Sequence, residues 1–296
     1  AVGVAEVKGT TATIKLLDGI LTLEGKTTYS EAAAAKLNGC LVTVSSYKRD
    51  YLTLSKVNGK GASTALNLTT NRMGTKELSA GARFFEQVGN GRLVEIDRSD
   101  ITITSIPANK ITYVGYDWAG RVDKLVLNDV TGDCYDYGMI YYRAAGYEES
   151  KDDGSEGSYQ NGEIRVTNGS HTDGVSYVVG SVDGAKTNRM GGVAGSLDQL
   201  DGKNRMAAFM PLNEATGIRR AQFNTDAMLL TTNSMVIPIS DKVECYNKTT
   251  GDWFKPGEDG DHKAALNLAL AFSDDITVYY DRSPEEGGKV RIVVVE

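Results

Sequence analysis

The sequence predicts an all-β protein of two tandem repeat units, each made of small antiparallel β-barrel or sandwich modules with very little helix. Three observations predict it. Apolar and polar residues alternate with a period of two in segment after segment. These segments run for about four to eight residues, are rich in Thr, Val, Ile and Tyr, and end at Asp-Gly, Asn-Gly, Gly-Asn-Gly or Gly-Gly. Landmarks in the first half return in the same order in the second.

Taken along the chain, Ile14 and Leu16 alternate with Thr13 and Lys15, and Leu21 and Leu23 with Thr22 and Glu24. Such alternation puts one strand face in a core and the other in water. Ser30-Glu31-Ala32-Ala33-Ala34-Ala35-Lys36-Leu37 has a Ser cap, four Ala and a closing Asn38-Gly39, which makes it a helix of one or two turns. Leu52 and Leu54 then alternate with Tyr51, Thr53 and Ser55, and Ile101 and Ile103 with Thr102 and Thr104. In the second half Ile164 and Val166 flank Arg165, and Val290, Ile292 and Val294 alternate around Arg291. Lys263–Leu270 fits either a strand or a short helix. There are no helices of ten or more residues between strands, so parallel crossovers are not expected.

The repeat has four anchors. Leu68-Thr69-Thr70-Asn71-Arg72-Met73 returns as Leu230-Thr231-Thr232-Asn233-Ser234-Met235, followed by Leu78-Ser79 against Ile239-Ser240 and Phe84-Phe85 against Cys245-Tyr246. Ala12–Gly19 reads like Gly162–Gly169, with Ile14 opposite Ile164. Leu37-Asn38-Gly39 reads like Leu200-Asp201-Gly202, and the capped stretch at Ser30 like Gly195–Leu200. Ile111–Asp117 reads like Ile276–Asp281. The units are placed at 1–132, with an inner boundary near 60, and 133–296, with one near 220–233. The acidic run Glu148–Ser158 is read as a long hairpin loop in the second unit.

Two longer runs carry a resemblance. One is Gly25-Lys26-Thr27-Thr28-Tyr29, a short helix, Leu37-Asn38-Gly39 and a strand pair ending at Val57. The other runs from Arg83-Phe84-Phe85-Glu86-Gln87-Val88 through Ile111–Asp117 to Leu125-Val126-Leu127. Together they resemble the β-rich repeat region of cell-surface proteins of Gram-positive anaerobes that carry S-layer-homology anchor domains. The anchor motif itself, Phe-x-Asp-Val followed by Trp-Ala and a Gly-rich end, does not occur; Phe272-Ser273-Asp274-Asp275 is only a fragment of one. The resemblance implies an exported, extracellular protein of the cell wall with a structural or adhesive role. Its partners would be other cell-surface proteins or cell-wall glycans, self-association included. No catalytic residue is implied.

Composition excludes other classes. A net charge of −7 and a pI near 5.1 argue against a nucleic-acid-binding surface. No apolar run reaches the roughly 18 residues needed to span a membrane. The opening Ala1-Val2-Gly3 points to a removed signal peptide or an excised fragment. Cys40, Cys134 and Cys245 are odd in number and do not follow the repeat, so all three are expected to be free, buried small hydrophobes.

The chemistry-bearing residues are sparse. His171 and His262 sit in polar turn sequence, which predicts exposed loops and no Ser-His-Asp, Cys-His or zinc site. Asp and Glu gather in turns such as Asp152-Asp153, Asp259-Gly260-Asp261 and Asp274-Asp275, where solvation explains them better than a glycosidase pair does. Asn128–Asp133 and Glu258–Asp261 offer oxygen ligands but do not fit the spacing of a Ca²⁺ loop. Gly191-Gly192-Val193-Ala194-Gly195 lacks the lysine and the context of a phosphate loop. The chain is therefore expected to be non-enzymatic and to need no cofactor. Trp118 and Trp253, in turns, are the candidate ligand-binding residues, suited to stacking on sugar rings, with Tyr135, Tyr137, Tyr141, Tyr142 and Tyr147 as lesser ones. A carbohydrate-binding module is thus the alternative to a structural one, and a glycan-processing enzyme ranks third.

Overall fold

The computed structural model describes residues 1–19, 21–57, 62–146, 148–150, 156–158, 161–200 and 202–296. The chain is mostly β and divides into two compact units. The first holds residues 1–134 with 195–199, and the second 135–194 with 200–296. Each unit contains a closed five-stranded barrel followed by a seven-stranded sheet.

The first barrel consists of β1 (Val2–Lys8), β2 (Thr11–Leu16), β3 (Thr22–Thr27), the helix α1 (Glu31–Ala35), β4 (Leu41–Lys48) and β5 (Tyr51–Lys56). Its order around the barrel is β1-β2-β3-β5-β4, a Greek-key path. The first sheet contains β6 (Leu66–Asn67), β7 (Arg72–Met73), β8 (Lys76–Gln87), β9 (Val94–Ile96), β10 (Ser105–Ile106), β11 (Ile111–Tyr116) and β12 (Val122–Asn128). It is ordered β10-β6-β7-β8-β12-β11, with β9 beside β8.

The second unit repeats the plan. Its barrel strands are β13 (Asp136–Arg143), β16 (Gly162–Thr167), β17 (Val175–Val179), β18 (Arg189–Leu200) and β19 (Lys203–Pro211), ordered β13-β16-β17-β19-β18. A separate hairpin of β14 (Glu148–Ser150) and β15 (Glu156–Ser158) lies where the acidic loop was expected; residues 151–155 fall outside the described residues. The sheet has β20 (Asn213–Ile218), β21 (Phe223–Asn224), β22 (Leu229–Thr231), β23 (Val236–Asn247), β24 (Asp252–Phe254), α2 (His262–Phe272), β25 (Ile276–Tyr280) and β26 (Val290–Val295). The order is β20-β25-β26-β23-β22-β21, with β24 beside β23. This sheet starts directly after Pro211, so the expected inner boundary near 220–233 lies inside it. The other inner boundary, near 60, lies outside the described residues.

Register shows the repeat more sharply than composition does. In the first sheet the pairing jumps from Val122↔Leu78 to Lys124↔Arg83; in the second it jumps from Val290↔Ile239 to Ile292↔Glu244. The long strand gains five residues against two at the same point in both, a shared irregularity. In the barrels Gly3 and Gly138 mark another common point. A Cβ on Gly3 would lie 2.3 Å from the Lys15 carbonyl oxygen, and one on Gly138 2.2 Å from that of Thr167. Only glycine tolerates so close a backbone.

These equivalences test the sequence anchors. Leu78 with Ile239, Phe84-Phe85 with Cys245-Tyr246, and Ile111 with Ile276 occupy matching positions. Ile14 and Ile164 lie on matching strands, but the glycine contacts place Ile14 level with Val166, two residues along on the same face. Leu68–Met73 and Leu230–Met235 do not correspond. The first contains the β6–β7 turn and the second the β22–β23 turn, and it is Met73 that matches Leu230 through the pairs Leu66↔Met73 and Phe223↔Leu230. Leu37–Gly39 precedes a barrel strand, whereas Leu200 ends β18 and Gly202 lies in the turn to β19, and residues 195–200 are strand, not helix. Similar turn chemistry explains both false matches: polar Thr-Thr-Asn and Asn-Gly runs suit any tight turn. Asn71 and Asn188 share a real role, because each has a positive φ (52° and 61°) immediately before a strand that begins Arg-Met.

Other expectations need correction. The sheets are not purely antiparallel: β3 runs parallel to β5, β8 to β12, β17 to β19 and β23 to β26. Irregular crossovers and α2, an 11-residue helix, supply the connections. Asp261 caps α2 by accepting from the Ala264 N–H (3.1 Å), and Ala265, Leu266, Ala269 and Leu270 bury its inner face. Ile101–Thr104 is not a strand but follows a 3₁₀ turn (Arg98–Asp100), although Ile101 is buried. Leu21 is exposed and lies before β3.

The largest correction concerns β26. All its residues are buried, Arg291 included at 1% exposure. Arg291 Nε and Nη2 lie 2.9 and 2.8 Å from Asp281 Oδ2, and Nη1 donates to Ser240 Oγ (3.1 Å). The guanidinium covers the ring of Tyr137 at 4.8 Å, and the Tyr137 hydroxyl donates to Asp281 (3.4 Å). Asp281 Oδ1 accepts from the N–H groups of Arg282 and Lys289. The pair thus joins barrel strand β13 to the sheet. Asp281→Ala would leave the guanidinium buried and unpaired, and is expected to lower the unfolding free energy by about 3–5 kcal/mol in a urea titration. The double change Asp281→Leu with Arg291→Met should recover most of that; a double variant as unstable as the single one would contradict the account.

Candidate functional site

Trp118 sits at the tip of the β11–β12 hairpin in the first unit. Asp117 shapes this turn: its Oδ1 accepts from the N–H groups of Ala119 and Arg121, both at 2.9 Å, and its Oδ2 from Arg121 Nε at 2.8 Å. The Arg121 N–H, chief among these donors, holds the Asp117 carboxyl below the usual carboxylate range. On this fixed turn the Trp118 ring is 97% exposed, and Tyr116 is 54% exposed with Lys76 Nζ 5.9 Å over its ring. A tryptophan so fully in water is unusual, since the residue is on average strongly buried.

Trp253 is placed differently. It lies on β24 in the second unit, half-buried, its ring 4.9 Å from that of Tyr246 across the strand pair. It is a cross-strand packing residue of the kind that stabilises sheets. The tyrosines are likewise engaged. Tyr135 and Tyr137 are buried, Tyr141 lies under the Arg165 guanidinium, and the Tyr142 hydroxyl accepts from the Val182 N–H. Tyr147 lies outside the described residues.

Two glutamates that the sequence does not mark out prove to be buried. Glu86, on β8, accepts from the N–H groups of Val130 and Thr131 and from the Thr131 hydroxyl. The Asn128–Asp133 stretch therefore points backbone N–H groups at a carboxylate of its own chain, the reverse of a cation loop. Glu244, on β23, accepts from the Gly169 N–H (2.9 Å) and Ser170 Oγ (2.8 Å). Its position matches Arg83, which donates to the Leu17 carbonyl (2.7 Å). Each side chain holds the residues that follow the second strand of its barrel. One is cationic and binds C=O; the other is anionic and binds N–H. A periodicity argument cannot see such a role.

His262 is also corrected. It is not in an exposed loop but opens α2, half-buried, with Nδ1 3.0 Å from the Val243 carbonyl and 3.7 Å from Glu244. His171 stays in a turn of the barrel, where its N–H donates to Asn168 Oδ1. Glu258–Gly260 is a 3₁₀ turn leading into the α2 cap. Among the described residues no three His, Cys, Asp or Glu side chains are grouped to hold a metal. None of the three cysteines is in a disulfide; Cys40 and Cys245 are buried as expected, but Cys134 is only half-buried, its Sγ 3.9 Å from Glu86.

The second unit also has an open groove of about 670 Å³ between the β22–β23 turn and the β25–β26 loop. Thr232, Asn233, Ser234, Met235 and Val236 form one wall, and Tyr280, Ser283, Pro284 and Glu285 the other. The loop begins at Asp281, the counterpart of Asp117. An Asp-organised hairpin end thus carries the exposed Trp118 in one unit and a groove wall in the other. The Thr-Thr-Asn run was visible in the sequence, but only as a repeat anchor.

Burial, outweighing the donors around them, pushes the Glu86 and Glu244 carboxyls above the ordinary glutamate range. Each binds its proton more tightly folded than unfolded. Its contribution favours the fold below the unfolded pKa and is lost as pH rises through the folded value. The melting temperatures of Glu86→Gln and Glu244→Gln, relative to the parent, should therefore improve as pH rises above about 4; a difference independent of pH would contradict this. No family model, curated protein or solved structure matches the chain.

Proposed function

We propose that the chain is a structural or adhesive module of an exported cell-surface protein, S-layer-like in style, which acts through contacts between surfaces and not through catalysis. The observation that carries this reading is Trp118: a large aromatic ring, 97% exposed, on a hairpin tip fixed by three hydrogen bonds to Asp117. A ring held ready in water loses little conformational freedom on meeting a partner and removes much apolar area from solvent when it does. The interior ionisable groups support the same reading. Asp281, Arg291, Glu86 and Glu244 all spend their hydrogen bonds on holding strands and loops together. Other cell-surface proteins, cell-wall glycans or further copies of the chain are the partners this surface suits.

Binding to purified Gram-positive wall material, together with sedimentation velocity for self-association, tests the reading. Trp118→Ala should weaken whichever contact is seen by about five- to thirty-fold, the range of an aromatic anchor worth about 1–2 kcal/mol. Trp253→Ala should act on stability instead. Unchanged binding by Trp118→Ala would remove the hairpin from the contact. Turnover of a glycan or peptide that is abolished by replacing one carboxylate would refute the non-catalytic reading.

A further inference from the structure

We propose that the groove of the second unit is a saccharide subsite, which takes a short stretch of a neutral glycan. The proposal rests on the surface-contact reading and names one ligand class for it. The volume of about 670 Å³ falls within the range of small-ligand sites, and the groove is open, so a chain longer than the site can lie across it.

The lining decides the chemistry. Sugars present C–H faces edged by hydroxyls, and the walls match both features. Tyr280, Met235 and Pro284 give apolar surface for a ring face. Asn233, Ser234, Ser283 and Glu285 give donors and acceptors at the rim. Among the described residues the Asn233 amide, the Tyr280 hydroxyl and the Glu285 carboxylate make no side-chain hydrogen bond to the protein. The lining has no Lys, Arg or His, and its single charge is the Glu285 carboxylate, so it disfavours phosphate, nucleic acid and acidic glycans. Extended peptides are disfavoured too. β22 is already paired on both edges, by β21 and β23, which leaves no strand edge there for an added peptide.

The groove walls are also held in place. The Thr232 hydroxyl accepts from the Met235 N–H (3.0 Å) and the Thr232 N–H donates to the Met235 carbonyl (2.8 Å), which closes one turn. On the other wall Ser283 Oγ donates to Glu286 (3.0 Å), and the buried Asp281 fixes the ends of the loop through the N–H groups of Arg282 and Lys289. A site with fixed walls and free polar tips binds without first having to order itself.

The test uses the full chain, labelled with ¹⁵N, titrated with tri-N-acetylchitotriose, cellotriose and maltotriose. Amide shifts at Asn233, Ser234 and Glu285 should move with at least one of the three. The double variant Asn233→Ala/Glu285→Ala, both exposed positions outside the core, should weaken that binding at least tenfold with an otherwise unchanged spectrum. No shift at groove residues up to roughly 10 mM sugar, weaker than any useful site, overturns the subsite. Shifts centred on the Trp118 hairpin also overturn it, while leaving the surface-contact reading standing. Release of new reducing ends from any trisaccharide overturns both.

Discussion

A guanidinium in the middle of a fully buried strand has to be answered, and the second unit is arranged around the answer. Asp281 neutralises Arg291, Ser240 takes a third N–H, and the Tyr137 ring covers one face of the cation. These partners come from the barrel, the long central strand and the loop after β25. The pair therefore sets the relation of barrel to sheet, since apolar packing alone would tolerate sliding. A buried ion pair is weak evidence for added stability, but removing one half is severe. Its value here is positional.

The first unit solves the same joint by other means. Val4, Leu17, Leu41, Phe85 and Val126 form an apolar seam between barrel and sheet. Arg83, at its edge, grips Glu95 with two bonds of 2.7 Å and the Leu17 carbonyl with a third. The position that is arginine here is glutamate in the second unit, and both hold the chain just after the second barrel strand. Topology is thus kept while the polar contacts are exchanged, because the backbone offers both a donor and an acceptor at that point.

The all-β class and the two-part repetition were legible in the sequence because they are written in local signals: alternation at Ile14, Leu52 and Val166, and glycine turns between. Trp118 was legible as a turn residue for the same reason. What was not legible depends on partners distant in sequence. Arg291 looked like the polar face of an alternating strand until Asp281 and Tyr137 closed around it. Nothing next to Glu86 or Glu244 in the sequence marks either as buried. The parallel pairs were missed because crossovers such as residues 97–110 carry no helical signature, and because the apolar face of α2 contains enough leucine to pass for a strand. Thr-Thr-Asn aligned falsely because turns one hairpin apart share one chemistry. The groove joins residues some fifty positions apart, and no local pattern links Asn233 to Glu285.

The chain has two tryptophans, one in each unit, and their surroundings differ. Trp118 is bathed in water, while Trp253 rests against Tyr246 within a sheet. An indole as exposed as the first emits close to where an unfolded chain does and meets a collisional quencher freely; the half-buried second has packing against Tyr246 to lose. Loss of structure in the second unit therefore carries nearly all of the spectral change on unfolding, and the first unit is almost silent in the same light. The change of fluorescence on unfolding thus reports chiefly on one half of the protein.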